Sequence, residues 1–199
     1  MNKFFSISEI STIDPVQKDK SENLPFQFTE IEDHKVHNLS ELMNRLPKPG
    51  EAFFIWTVNS FNAFNFIPYI LKTSPIEELV ISTYSINIRI IDSISHYLHQ
   101  NLIKSVYVLI SDSAKYRIPK VTDHLDQFST LNPSRVNVRY AWNHSKVTLI
   151  KTTSGFFIIE GSGNFSENSR HEQYIIVNSQ KIYDFRRRWI THEIHGRTT

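Results

Sequence analysis

The chain has 199 residues, 40% of them hydrophobic, which is enough to bury a sizeable core within one domain. Its 22 Lys and Arg against 20 Asp and Glu leave a formal charge of only +2, which excludes a polycation that coats nucleic acid by overall charge. The excess is local, since from Leu131 onward ten Lys and Arg face five Asp and Glu, and the absence of cysteine excludes disulfides and thiolate metal sites.

Residues up to about 40 are polar and charge-mixed. The stretch "DPVQKDKSEN" reads as exposed loop and "FQFTEI" as a short strand, so residues 1–40 are taken as an N-terminal extension, partly loop, ahead of a domain over 41–199. The first residues lack the apolar core of a secretory signal, and no run approaches the roughly 18 apolar residues that span a bilayer. The expectation is a cytoplasmic protein that makes no use of a membrane.

From there, strand-like runs alternate with helical patterns. "AFFIWTV", "ELVISTY", "SVYVLIS" and "VNVRYAW" read as strands, with "AFNFIPYILK", "NIRIIDSISHYLHQNL" and "VTDHLDQFSTL" as helices between them. After Arg135 the strands follow closely, as "VNVRYAW", "KVTLIKT", "GFFIIEG" and "QYIIVNS", and a last helix covers "QKIYDFRRRWITHEI". This order predicts an α/β domain whose mixed β-sheet is flanked by helices on both faces, with hairpins at its carboxyl-terminal end. There is no internal repeat. The aromatics Phe53, Phe54, Trp56, Phe61, Phe64 and Phe66 fit core positions better than base-stacking platforms.

Within "NHSKVTLIKTTSGFFIIEGSGNF" (143–165) the register of one hairpin carries the chemistry. A three-residue loop of Thr153, Ser154 and Gly155, with glycine in the left-handed position, makes paired residue numbers sum to 308. His144 then faces Asn164 and Lys146 faces Ser162. Opposed Cβ atoms lie roughly 4.5 to 5.5 Å apart, and all four side chains share one face. Gly161 and Gly163 point the other way, where another group can approach. An imidazole, an ammonium, an amide and a hydroxyl together suit a phosphodiester. Neutral imidazole attacks phosphorus, while Lys146 and Asn164 hold the non-bridging oxygens.

"HSKVTLI", then "GSGNF", then "NSRHEQYIIVNS" resembles the phospholipase D superfamily, whose pattern is H-x-K, a short gap, G-S-x-N and a downstream acidic residue before a strand. The likeness is close over 136–179. It implies one motif copy per chain in a phospholipase D-like α/β/α sandwich. It further implies that His144 is the nucleophile, that Lys146 and Asn164 bind phosphate, that Ser162 assists, and that Glu172 hydrogen-bonds a catalytic imidazole. Where the family pattern usually has Asp, this chain has Lys151, as adduct-resolving phosphodiesterases of the superfamily also lack that Asp. Lys151 and Arg170 are assigned to substrate binding.

The family reaction uses two histidines, one to attack and one to protonate the leaving oxygen. A chain with a single H-x-K supplies both by pairing about a twofold axis, so a homodimer is implied. No cofactor and no metal are expected: His96 with His99, and His192 with His195, have helical i,i+3 spacing but lack a third ligand and read as surface or interface residues. The run Arg186 to Arg188 reads as a solvated helix face or a contact to a nucleic-acid backbone. The expected function is a metal-independent phosphodiesterase acting on nucleic acid, DNA rather than RNA. The alternatives are a non-catalytic nucleic-acid or partner-binding module and, behind it, a phospholipid hydrolase.

Overall fold

The computed structural model describes residues 27–33, 39, 43–57, 61–166 and 171–195. Eight strands form one mixed sheet: β1 (Gln27–Asp33), β2 (Glu51–Thr57), β3 (Ile76–Thr83), β4 (Ile103–Ser111), β5 (Val136–Ala141), β6 (Val147–Thr152), β7 (Phe156–Gly161) and β8 (Glu172–Asn178). Their order across the sheet is β1-β2-β8-β7-β6-β3-β4-β5. The helices are α1 (Phe66–Leu71, entered by a 3-10 turn at Ala63–Asn65), α2 (Ile88–His99), α3 (Ala114–Arg117), α4 (Pro119–Leu131) and α5 (Gln180–His195). The α/β class and the mixed sheet agree with the sequence reading. "FQFTEI" contributes β1, which pairs parallel to β2 at the sheet edge.

Burial alternates along the strands because period-two geometry sends successive side chains to opposite faces. Leu79, Ile81, Val108, Ile150, Ile159 and Ile176 join one apolar cluster with Ile67 and Ile70 of α1, Ile91 and Leu98 of α2, and Leu125 and Phe128 of α4. Val80, Leu109, Leu149, Ile158 and Val177 join a second cluster with Tyr183, Ile190 and Ile194 of α5. Helix α2 buries Ile90, Ile91, Ile94 and Leu98, one stripe at helical spacing. The Asn87 side chain caps it, accepting from the Ile90 N–H at 2.9 Å. Proline opens α4 at its first turn, where no N–H is needed.

Of the aromatics expected in the core, Phe53, Phe61 and Phe66 are buried, whereas Phe54 and Trp56 are 42% and 40% exposed. Both sit at even positions of β2. They share the face of Ala52, on the α5 side, but α5 packs mainly over β3 to β7. Trp56 instead stacks on His171, with ring centroids 5.3 Å apart.

Helix α5 is clamped to the sheet by charge. Glu78 of β3 accepts from Tyr183 at 2.6 Å and from Arg187 at 2.6 and 2.7 Å. Burial alone would raise its carboxyl, but those hydrogen bonds outweigh it and hold the group below its ordinary value. Glu51 is similarly held, its carboxyl lowered to about 2 chiefly by the Arg45 hydrogen bond. Depressed carboxylates contribute stability that is complete above their unfolded value and lost as pH falls through the folded one. The melting temperature should therefore be flat down to about pH 4.5 and drop between there and about pH 2. Glu51→Gln should shrink that drop, as read by circular dichroism melts across the pH series; an unchanged profile would remove Glu51 from the explanation.

Candidate active site

Chain order fixes where the candidate residues fall. β3, β4 and β5 run parallel and step outward in one direction, and β6 then pairs with the other side of β3. The segment from Trp142 to Lys146 must therefore cross the carboxyl ends of β4 and β3 to reach β6. A crevice opens where neighbouring connections diverge in this way, and ligands of α/β sheets bind at such points.

Asn143 fastens the crossing. Its buried amide donates to Ser82 Oγ at 3.1 Å, Thr83 O at 3.2 Å and Leu109 O at 3.2 Å, and its oxygen accepts from the Ser145 N–H at 3.0 Å and Oγ at 2.7 Å. Ser145 Oγ also meets Ser82 Oγ at 2.5 Å. One side chain thus ties the strap to two strand ends, and the exposed Trp142 and His144 on either side of it are held outward. The imidazole of His144 lies tilted against Tyr84, centroids 4.7 Å apart, and the Arg117 guanidinium stands over that tyrosine at 4.1 Å. Lys146 Nζ lies 3.5 Å from His144 Nδ1 and donates to the His144 carbonyl at 3.2 Å.

The hairpin that presents Ser162 has a register different from the expected one. Val147 pairs with Glu160 and Lys151 with Phe156, a sum of 307 rather than 308, so Lys146 lies across from Gly161, not Ser162. The loop contains only Thr153 and Ser154, because the Thr152 hydroxyl accepts the Ser154 N–H at 3.1 Å and Thr152 N–H bonds Gly155 O at 3.0 Å. Gly155 is needed for space, not for a left-handed φ: a Cβ there would stand 2.8 Å from the Phe157 ring. Gly161 is tighter still, since a Cβ would meet Gln173 O at 2.2 Å. That close approach lets the chain leave β6 and stay with β8, where Ser162 N–H bonds Gln173 O at 3.0 Å.

Three of the four expected residues meet by this other route, without Asn164. His144, Lys146 and Ser162 line one cleft of about 480 Å³ with Glu160, Gly161, Arg186 and Trp189. Ser162 Oγ donates to Glu172 and accepts the Gln173 N–H, so the Glu172 carboxylate is held by Ser162 and not by His144. Asn164 is drawn toward β3, its Oδ1 accepting from Thr83 Oγ1 at 3.5 Å, beside Tyr84. Lys151 stands at the hairpin end of β6, four residues or about 13 Å beyond Val147, and pairs with Glu77 at 3.1 Å. Arg170 lies outside the described residues.

Two of the three arginines of the last helix are committed to the fold. Arg186 pairs with Glu160 at 2.6 Å and Arg187 with Glu78 at 2.6 Å, while Arg135 donates to the carbonyls of Lys104, Leu98 and Ile103. Part of the positive charge counted from Leu131 onward is therefore engaged within the fold. Because Arg186 balances Glu160, the charge of Lys146 is the unmatched one among the cleft-lining residues, which favours an anion beside His144. His99 contacts Ser95 at 3.4 Å and His192 approaches Glu193 at 4.0 Å. Among the described residues no group of three His, Asp or Glu is arranged to hold a metal ion.

Sequence reasoning did not find Asn143, Tyr84, Arg117, Glu160 or Trp189. An Asn directly ahead of H-x-K at a strand end was a readable signal for the strap. The others come from distant segments and had none.

Comparison with solved structures places the fold. A polyphosphate kinase from Porphyromonas gingivalis superposes with a TM-score of 0.56 at 14% identity, over 83% of this chain and 32% of that one. The phosphatidylserine synthase of Haemophilus influenzae Rd KW20 gives 0.50 at 14% identity, over 72% of this chain and 38% of that one. An archaeal chromatin protein with a novel mode of DNA binding gives 0.42 at 10% identity, over 71% of this chain and 51% of that one, too low a score to inform the fold. The kinase and the synthase have phospholipase D superfamily folds, and at 14% identity the likeness is one of fold. This chain spans about a third of the kinase and under two-fifths of the synthase. The sequence matches no protein-family model and no curated protein.

Proposed function

We propose that the domain over 41–199, with β1 added at its sheet edge, is a phospholipase D-like α/β/α sandwich that hydrolyses phosphodiesters without a metal, through a phosphohistidine on His144. The observation that carries this reading is an exposed imidazole beside an ammonium with no matching carboxylate, at the mouth of a cleft on the strand ends where the sheet's connections diverge. In the first step the lone pair of a His144 ring nitrogen attacks phosphorus and the bond to the leaving oxygen breaks, that oxygen taking a proton from a second imidazole. Lys146 and the Asn164 amide meet the non-bridging oxygens as their charge rises, and the Ser162 hydroxyl joins them once its proton turns from Glu172 to the phosphate. Water then attacks the adduct, giving its proton to the second imidazole, and the P–N bond breaks. That second imidazole is His144 of another copy of the chain, which makes the active unit a homodimer. Nucleic acid is the substrate class, DNA ahead of RNA, with Lys151 and Arg170 as outlying phosphate contacts. Glu172 acts through Ser162, setting the hydroxyl's direction.

The reading is tested by incubating the protein in excess EDTA with bis(4-nitrophenyl) phosphate and with labelled DNA and RNA. Hydrolysis should persist, and rapid acid-free quenching should trap an acid-labile, alkali-stable adduct on His144. Activity that returns only with Mg²⁺ or Mn²⁺, or an adduct mapped to Ser162, overturns it. One observation favours a second reading, a phosphate-binding module without turnover: the carboxylate that should orient an imidazole is engaged by Ser162 instead. In that case phosphodiesters bind and are never cut, by protein at any concentration.

A further inference from the structure

Beside the cleft, the same strand ends carry rings that folding does not use. Trp142 is 96% exposed and Tyr116 is 89% exposed, so neither contributes apolar burial to the core. The two segments abut: Asp112 N–H bonds Ala141 O at 2.8 Å, and Lys115 Nζ stands 4.3 Å over the Tyr140 ring. Lys115, Tyr116 and Arg117 are consecutive and exposed on one turn, and Arg117 leads through Tyr84 to His144. Rings and cations therefore form one rim ending at the imidazole. Trp142 lies two residues from His144, at most about 7 Å along the chain, and the Asn143 strap between them fixes its backbone.

We infer that this rim is a track for an unpaired stretch of nucleic acid, with bases stacked on Trp142 and Tyr116 and phosphates met by Lys115 and Arg117. The inference rests on the phosphodiesterase reading only in seating the adjoining phosphate at His144. Stacking needs an open base face, which a duplex hides within its own stack, so the track selects single strands. A polyanion with a ring on every unit matches cations and rings interleaved within one turn. A lipid surface would instead need a separate apolar face to insert. With the backbone beside it held by the strap, only the two side-chain torsions of Trp142 have to settle when a base arrives.

The test measures binding by fluorescence anisotropy, using full-length protein carrying His144→Ala so that the probe stays intact. The probes are a labelled oligothymidine of about 12 nucleotides, a duplex of equal length and phosphatidylglycerol vesicles. The single strand should bind best, and Trp142→Ala and Tyr116→Ala should each weaken it about tenfold or more, with Trp142→Phe restoring most of the loss. Lys115→Ala should flatten the dependence on salt, while Trp142→Ala leaves its slope in place. Equal affinity for the duplex, preference for vesicles, or a Trp142→Ala protein that binds like its parent overturns the track. So does a Trp142→Ala protein that changes only its sedimentation, which would make the ring a subunit contact. Bis(4-nitrophenyl) phosphate carries no base, so its hydrolysis by unmodified protein reports on the phosphodiesterase reading separately from the track.

Discussion

Replacing His144 with alanine is expected to lower phosphodiester hydrolysis by about 10⁴-fold while leaving the fold intact. The loss is large because removing a nucleophile closes the covalent route altogether, and what remains is catalysis by binding and charge. The fold should survive because the imidazole is exposed and, among the described residues, is engaged by Tyr84 and Lys146 at the surface. The same variant tests the second subunit. When it is mixed with an equal amount of wild type and allowed to exchange, a composite site leaves activity only in dimers with two wild-type chains, about a quarter of the total. A fall to about half, in proportion to the wild-type chains present, would show that each chain works alone. So would an active monomer in sedimentation at the assay concentration.

Asn143→Ala should be the most damaging change at a position outside the reacting atoms. It strips a donor from two backbone carbonyls and an acceptor from Ser145, all at a buried junction. Each unsatisfied buried group costs about 1–3 kcal/mol, part of it relieved by water entering the gap. A net loss of about 3 kcal/mol, or roughly 6–12 °C in melting temperature for a chain of this size, is the expected result. Activity should fall by about 10²-fold even well below the new midpoint, because a strap freed by an ångström misplaces His144. Calorimetry and the diester assay at low temperature check the two effects, and an unchanged melt with unchanged turnover would show that the strap is held by something else.

The strands and helices were legible because their apolar runs are clear and their faces differ. Even β1, at the edge and within the polar extension, showed as "FQFTEI". The hairpin register was not, because a hydroxyl decided it: Thr152 accepts the Ser154 N–H and shortens the loop by one residue. Gly155 was read as conformational freedom where its role is room, whereas the close approach expected at Gly161 is present. The destination of the arginines was hidden too. "RRR" looks like a basic patch in the sequence, yet two of its members pair with Glu160 and Glu78, which lie 26 and 109 residues earlier. Long-range pairing of this kind leaves no local pattern to read. The His144 and Lys146 pair was legible from spacing alone, whereas Asn164 turning to Thr83 depended on how the chain passes β3.

The position of β6 beside β3 also sets an order of assembly. β3 reaches β4 through one intervening helix, a nearby contact, but Ser82 finds Val147 only 65 positions later. Closing so long a loop is slow, because its entropy must be lost before the pairing rewards it. A nascent chain ending at β5 can already join β3, β4 and β5 into a parallel half-sheet. It holds neither His144 nor the strand that carries Lys146 onward. The cleft that His144, Lys146 and Ser162 line therefore takes shape only after β6 has joined β3.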